Sequence, residues 1–113
     1  MLHLNVLENP KQAEQYLLAA LDLDMDNPAP HAWLGRYYER MAALEADEED
    51  RDALYRLALR HYEWTADLAK EGHRVTRLRE IYLRMVHLCR LLGNEKWAEV
   101  YEAEASNARS TAD

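Results

Sequence analysis

The stretch that decides the fold covers residues 20–38 and reads ALDLDMDNPAPHAWLGRYY. Apolar residues recur at helical spacing on both sides of Asn27, Pro28 and Pro30. Proline breaks a helix from its interior but fits the first turn of a new helix. The stretch therefore predicts the end of one helix, a tight turn and the start of a second helix.

The whole chain has the composition of an all-helical protein. Its 113 residues are enough for a single domain with one continuous core. Glycine and proline are few, while alanine, leucine, glutamate and arginine dominate, as is typical of helical proteins. Apolar periodicity and turn signals predict helices over about 10–23, 28–46, 51–70, 74–92 and 95–108, after the last turns of a helix at 1–7.

Charge is unevenly distributed along the chain. The formal net charge is −7, yet residues 51–92 carry nine basic and five acidic side chains. Overall acidity argues against a general binder of nucleic acid or anionic membranes, because such binding depends on neutralising phosphates. Cys89 is the only cysteine, and the chain has no apolar run as long as a membrane span. We therefore expect a cytoplasmic protein with no membrane partner.

Two residue patterns recur along the chain. Residues 34–38 read LGRYY, and a small residue is followed four positions later by a large one at 13–17 (AEQYL) and at 58–62 (ALRHY). These patterns resemble those of the tetratricopeptide repeat (TPR) family, which has L-G-x-x-Y in the first helix of each repeat and A-x-x-x-F in the second. The resemblance extends over nearly the whole chain as about two and a half degenerate repeats.

The resemblance implies an all-α fold in which antiparallel helix pairs stack as a short right-handed superhelix. A single domain over 1–113 would then contain a half repeat at 1–25, repeats at 26–72 and 73–108, and a frayed tail at 109–113. Against a repeat of 34 residues, extra residues would lie in the acidic connection after Leu44 and in an added helical turn at about 73–78. The chain departs from the pattern at His31, which replaces a tryptophan, and an irregular helical bundle is the alternative.

No motif indicates catalysis, a cofactor or a metal site. Asp22, Asp24 and Asp26 resemble the start of a calcium loop, but Asn27 and Trp33 stand where that loop needs glycine and glutamate. An acidic helix end and turn is the favoured interpretation. The histidines lack zinc-binding spacing, and the lone cysteine lies on an apolar stripe, where a core position is expected. We therefore expect a non-enzymatic protein without cofactors.

Arginines are the informative polar residues. In TPR domains the first helix of each pair lines the concave surface, so the resemblance implies that the second and fourth helices face one groove. Arginine holds carboxylates through bidentate hydrogen bonds, which predicts an acidic ligand. The predicted partner-binding residues are Arg36, Tyr37, Arg40, Arg77, Arg84, His87 and Arg90. The alternative is that these arginines pair with neighbours such as Glu39, Glu80 and Asp67, or are simply solvated.

Three functions follow from these features. The first is a protein–protein interaction module, an adaptor or scaffold that binds an acidic partner segment in the basic groove. The second is a dimerising scaffold completed through the N-terminal half repeat, because Tyr16, Leu17 and Leu21 are expected to lack a full covering helix. The third, less favoured, is a nucleic-acid-binding helical repeat that uses the arginines of residues 74–90.

Overall fold

Five helices follow one another along residues 10–108, the part of the chain that the computed structural model describes. They are α1 (Pro10–Leu23), α2 (Pro28–Leu44), α3 (Glu48–Lys70), α4 (Leu78–Leu91) and α5 (Glu95–Asn107). This range contains no strand, so the predicted all-α class is confirmed. None of these helices has the length and apolar character needed to cross a membrane.

Side-chain caps place the ends of α2 and α3. The Asn27 side chain accepts a hydrogen bond from the Ala29 amide at 3.1 Å, which caps α2 and confirms the predicted turn. Asp47 accepts from the Asp50 amide at 3.0 Å, and the acidic residues 48–50 fill the first turn of α3. Because this cap and the helix dipole both favour that start, α3 begins three residues before the predicted position 51. Correspondingly, α2 ends at Leu44 rather than near 46.

The connection between α3 and α4 contradicts the sequence prediction. Residues 73–77 are not helical, and α4 begins at Leu78 instead of near residue 74. Gly72, with φ 101°, takes the chain out of α3, and Val75 is only 4% exposed. Burial of Val75 holds this segment against the core as a loop, so the predicted extra helical turn is wrong. Arg77 precedes α4 in the left-handed conformation, with φ 60°.

Each helix packs against its neighbour in chain order, and the α2–α3 contact is the most extensive. The short connections make α2/α3 and α4/α5 antiparallel pairs. The principal-axis extents of the structure are 35, 34 and 21 Å. Leu17 and Leu21 are buried in the shared core, so the expectation that they lack cover is wrong, whereas Tyr16 is 49% exposed.

Gly35 allows α2 and α3 to approach closely. A Cβ atom at this position would lie 2.7 Å from Cε1 of Tyr62, well inside van der Waals contact. The Tyr62 ring is 1% exposed and lies across Gly35, and its hydroxyl donates to Glu39 Oε2 at 3.1 Å. The absence of a side chain at Gly35 therefore determines where the Tyr62 hydroxyl reaches α2.

Candidate functional site

A groove of about 910 Å³ lies between α2 and α4, with α3 at its base and the 74–77 loop along one edge. Tyr62 and Thr65 of α3 are buried beneath it. Its charged lining residues are Arg36, Glu39, Arg40, Arg74, Arg77, Glu80 and Arg84, with His87 beside them. Five arginines against two glutamates make the groove basic in a chain whose net charge is −7.

The α2 wall combines an exposed aromatic ring with two guanidinium groups. Trp33, Arg36 and Arg40 are spaced three and four residues apart, so they share one helix face. The Arg36 Cζ atom lies 5.1 Å from the centroid of the Trp33 ring, a cation–π distance, and Trp33 is 40% exposed. Within residues 10–108, no ion pair joins Arg36 or Arg40 to a carboxylate. Both guanidinium groups can therefore receive an external acidic group.

Arg84 is placed differently, because an internal carboxylate already binds it. Its Nη2 and Nε atoms donate to Glu39 Oε1 at 2.7 and 3.0 Å, and the Tyr62 hydroxyl binds the other oxygen of the same carboxylate. The Glu39 side chain is only 11% exposed. Hydrogen bonding to Glu39 raises the pKa of Arg84, and burial followed by the Glu39 charge raises the pKa of Tyr62. This Glu39–Arg84 bridge connects α2 to α4 across the groove.

The structure brings most of the predicted site residues together. Arg36, Arg40, Arg77, Arg84 and His87 line the groove. The alternative of internal pairing also holds in part: Arg84 pairs with Glu39, and Arg77 lies 3.7 Å from Glu80.

Two predicted residues lie elsewhere. Tyr37 is 6% exposed and packs edge-on against Tyr38, with ring centroids 5.0 Å apart. Arg90 turns towards α5 and forms ion pairs of 3.3 Å with Glu95 and with Glu102. Neither side chain lines the groove, because Tyr37 is buried in the core and Arg90 pairs with glutamates of α5.

Sequence reasoning missed other lining residues. Trp33 lines the groove but is absent from the predicted binding residues, although its spacing from Arg36 and Arg40 places it on their helix face. Arg74 lines the groove from the 73–77 loop. No sequence signal indicated that Arg74 lies in a loop beside the groove, because the sequence of residues 73–77 also fits a helix.

A second polar cluster lies between α2 and α3 and is structural. His31, which is fully buried, stacks on Trp64 with a centroid distance of 4.1 Å. Its Nε2 donates to the Met25 carbonyl at 3.1 Å, so its Nδ1 accepts from His61 Nδ1 at 3.2 Å in the neutral pair. Burial lowers the pKa of both histidines, and that of His61 falls to about 4. The pair therefore binds the α1–α2 turn to α3 in a neutral state.

The acidic turn at 22–26 and the single cysteine, the other candidate sites, have structural roles. Asp24 accepts a hydrogen bond from the Asp26 amide at 3.1 Å, and the predicted acidic helix end and turn is confirmed. Cys89 is 1% exposed, as expected for a core residue, and burial raises the pKa of its thiol. In the described part of the chain, no group of three or more histidine, cysteine, aspartate and glutamate side chains is arranged to hold a metal ion.

Comparison with known proteins assigns no family to the chain. No protein-family model matches it, and neither a curated protein nor a solved structure matches it. The resemblance to the TPR family therefore stays a prediction, and a proposal for function rests on the groove.

Proposed function

We propose that the chain is a non-enzymatic protein-interaction module that binds an acidic segment of a partner protein in the groove between α2 and α4. The composition of the groove carries this proposal. Five arginines face two glutamates there, and both glutamates already pair with groove arginines. Arg36, Arg40 and Arg74 are thus the guanidinium groups that a ligand carboxylate meets first.

The apolar part of the lining favours a protein ligand. Trp33 and Tyr55 line the groove together with Ala43 and Pro28. Aromatic side chains and arginine are the residue types enriched at protein–protein interfaces. An acidic segment with one or two apolar side chains would satisfy both the guanidinium groups and the exposed indole ring.

We extend this proposal to the architecture, as a short TPR-like superhelix. Three features support it: the close approach of Gly35 to Tyr62, the antiparallel pairs α2/α3 and α4/α5, and the position of α2 and α4, the first helix of each pair, along the groove. The expected cytoplasmic location stays a prediction alongside it.

Isothermal titration with synthetic peptides tests the function. The first probe is a peptide of about twelve residues with four glutamates and two leucines, and the second has glutamines in place of the glutamates. We expect only the acidic peptide to bind, and R36E/R40E to weaken binding at least about thirtyfold, because two charge-assisted contacts become repulsive. R56E is the matched control, since Arg56 is exposed on α3 outside the groove.

The same titration separates the competing functions. Equal affinity for the acidic and the amide peptide, or unchanged affinity in folded R36E/R40E, would refute the groove proposal. Binding of a single-stranded oligonucleotide, with no binding of the acidic peptide, would replace it by the nucleic-acid function. Circular dichroism of each variant establishes that the helices are intact.

A further inference from the structure

The junction of α2 and α3 presents an acidic surface that the groove proposal has not used. Residues 44–52 read LEADEEDRD and contain six acidic side chains and one basic side chain. We call these residues the acidic segment. Leu44 is 71% exposed, and the acidic side chains at 47–50 are exposed as well.

The acidic segment has few internal partners. Asp47 caps α3 through the Asp50 amide, and Glu45 accepts from the Asp47 amide at 3.2 Å. None of the ion pairs among residues 10–108 involves its carboxylates. An exposed leucine beside uncompensated carboxylates has the composition that the groove is expected to bind.

The acidic segment adjoins the groove but cannot enter its own. Ala43, the residue before it, lines the α2 wall, and Tyr55, just after it, lines the base. Both flanking residues belong to helices, so the segment is fixed at the end of the groove. Only the groove of another molecule can receive it.

We propose that the acidic segment of one copy docks in the groove of a second copy, so that the chain is its own acidic partner. This inference rests on the proposed function. The carboxylates at 48–52 would meet Arg36, Arg40 and Arg74, and Leu44 would pack against the exposed face of Trp33. Because segment and groove adjoin, a two-fold axis lets each copy fill the groove of the other, which gives a closed dimer.

Charge determines how this dimer behaves. The paired surfaces have opposite sign, whereas the two whole chains repel one another at −7 each. The attraction acts between exposed groups, so salt screens it. We expect reversible association that weakens several-fold between about 0.1 and 0.5 M salt.

Sedimentation velocity with charge-swapped variants tests the dimer over about 10 to 500 µM protein. We expect the natural sequence to dimerise in this range. R36E/R40E places acidic side chains in the groove, and E48K/E49K places two lysines among the docking carboxylates, which changes the net charge of the segment from −5 (one base, six acids) to −1 (three bases, four acids). Each variant alone should be monomeric, because two of its docking positions now bring side chains of like charge together.

Restoration of binding is the decisive result. An equimolar mixture of R36E/R40E and E48K/E49K should form a heterodimer, because both of its contacts again join opposite charges. The fourfold variant with all these substitutions should dimerise by itself, and R56E should behave like the natural sequence. E48Q/E49Q removes the charges without placing lysines at the positive end of α3, so it should weaken dimerisation with a smaller loss of helix stability than E48K/E49K.

The inference is overturned if the natural sequence stays monomeric up to the highest concentration. It is also overturned if both R36E/R40E and E48K/E49K still dimerise when each is alone. Failure of association in both their mixture and the fourfold variant would overturn it as well. Titration with the glutamate peptide distinguishes failure of the dimer proposal from failure of the proposed binding function. A monomeric protein that binds this peptide contradicts the dimer alone, whereas a monomeric protein that binds no acidic peptide contradicts the proposed function too.

Discussion

At the scale of single residues, Gly35 leaves no room for a side chain between α2 and Tyr62. We expect Gly35→Ala to destabilise the protein by about 1–2 kcal/mol, because overpacking costs more than the gain in helix propensity. The added methyl group would lie 2.7 Å from the Tyr62 ring. Urea denaturation followed by circular dichroism measures the change in the free energy of unfolding.

A double substitution provides the control for this prediction. Leucine at position 62 removes the ring atoms that clash with the new methyl group, so the cost of Gly35→Ala should be much smaller in a Tyr62→Leu background. An equal cost in both backgrounds would mean that another contact fixes the spacing of α2 and α3.

The His31–His61 pair should make stability depend on pH. Burial, and then the neighbouring His31, lower the folded-state pKa of His61 from 6.5 to about 4. Between these values the unfolded chain binds more protons than the folded chain, so the stabilisation is full above pH 6.5 and is lost as pH falls towards 4. His61 is partly exposed, which reduces the effect to about 1 kcal/mol, or a fall of about 5 °C in Tm.

Thermal melts at several pH values measure this dependence. His61→Gln should flatten the decrease in Tm between neutral and mildly acidic pH, because glutamine does not titrate. His87→Gln provides the comparison, since His87 is exposed on α4, whereas the pair belongs to α2 and α3. A decrease equally steep in all three proteins would assign the pH dependence to carboxyl groups instead.

At the scale of helices, the Glu39–Arg84 bridge connects α2 and α4, which are not neighbours in the chain. Arg84→Met leaves the poorly exposed Glu39 carboxylate with the Tyr62 hydroxyl alone. We expect a loss of about 1–2 kcal/mol, less than for a fully buried pair because Arg84 is half exposed. Adding Glu39→Gln to Arg84→Met removes the carboxylate that has lost its partner. In a double-mutant cycle measured by urea denaturation, the double variant should therefore regain part of that loss.

Peptide titration of the same variant tests the role of the bridge. Arg84 is occupied by Glu39, so Arg84→Met should lower affinity for the glutamate peptide only a few-fold, compared with the large loss in R36E/R40E. A loss as large as that of R36E/R40E would show instead that Arg84 leaves Glu39 to bind the ligand.

Helix positions were predictable from sequence where local signals decide them. The helix over 10–23 is found as predicted, because Pro10 and the 24–27 turn mark its ends. The start of α3 was missed because any of several consecutive acids could cap it, and only the structure selects Asp47. The start of α4 was missed because burial of Val75 is a tertiary effect, and the sequence around it also fits a helix.

At the scale of the whole molecule, the basic groove was predictable only in outline. The spacing of Arg36 and Arg40 placed them together on one helix face, and the structure puts them in the groove. Tyr37 and Arg90 were assigned to the same surface but contact the core and α5. Arg90 pairs with a glutamate twelve residues away, and a periodic pattern on one helix contains no information about such a partner.

The three tryptophans are distributed in a way that makes the groove observable without a label. Trp64 stacks on His31, Trp97 lies 5.7 Å from Tyr101, and Trp33 is the one that lines the groove. Covering the exposed Trp33 indole should shift its emission to shorter wavelengths, and Trp33→Phe should remove that response while the other two indoles still emit. The natural fluorescence of this chain is thus a direct optical signal of whether its groove is occupied.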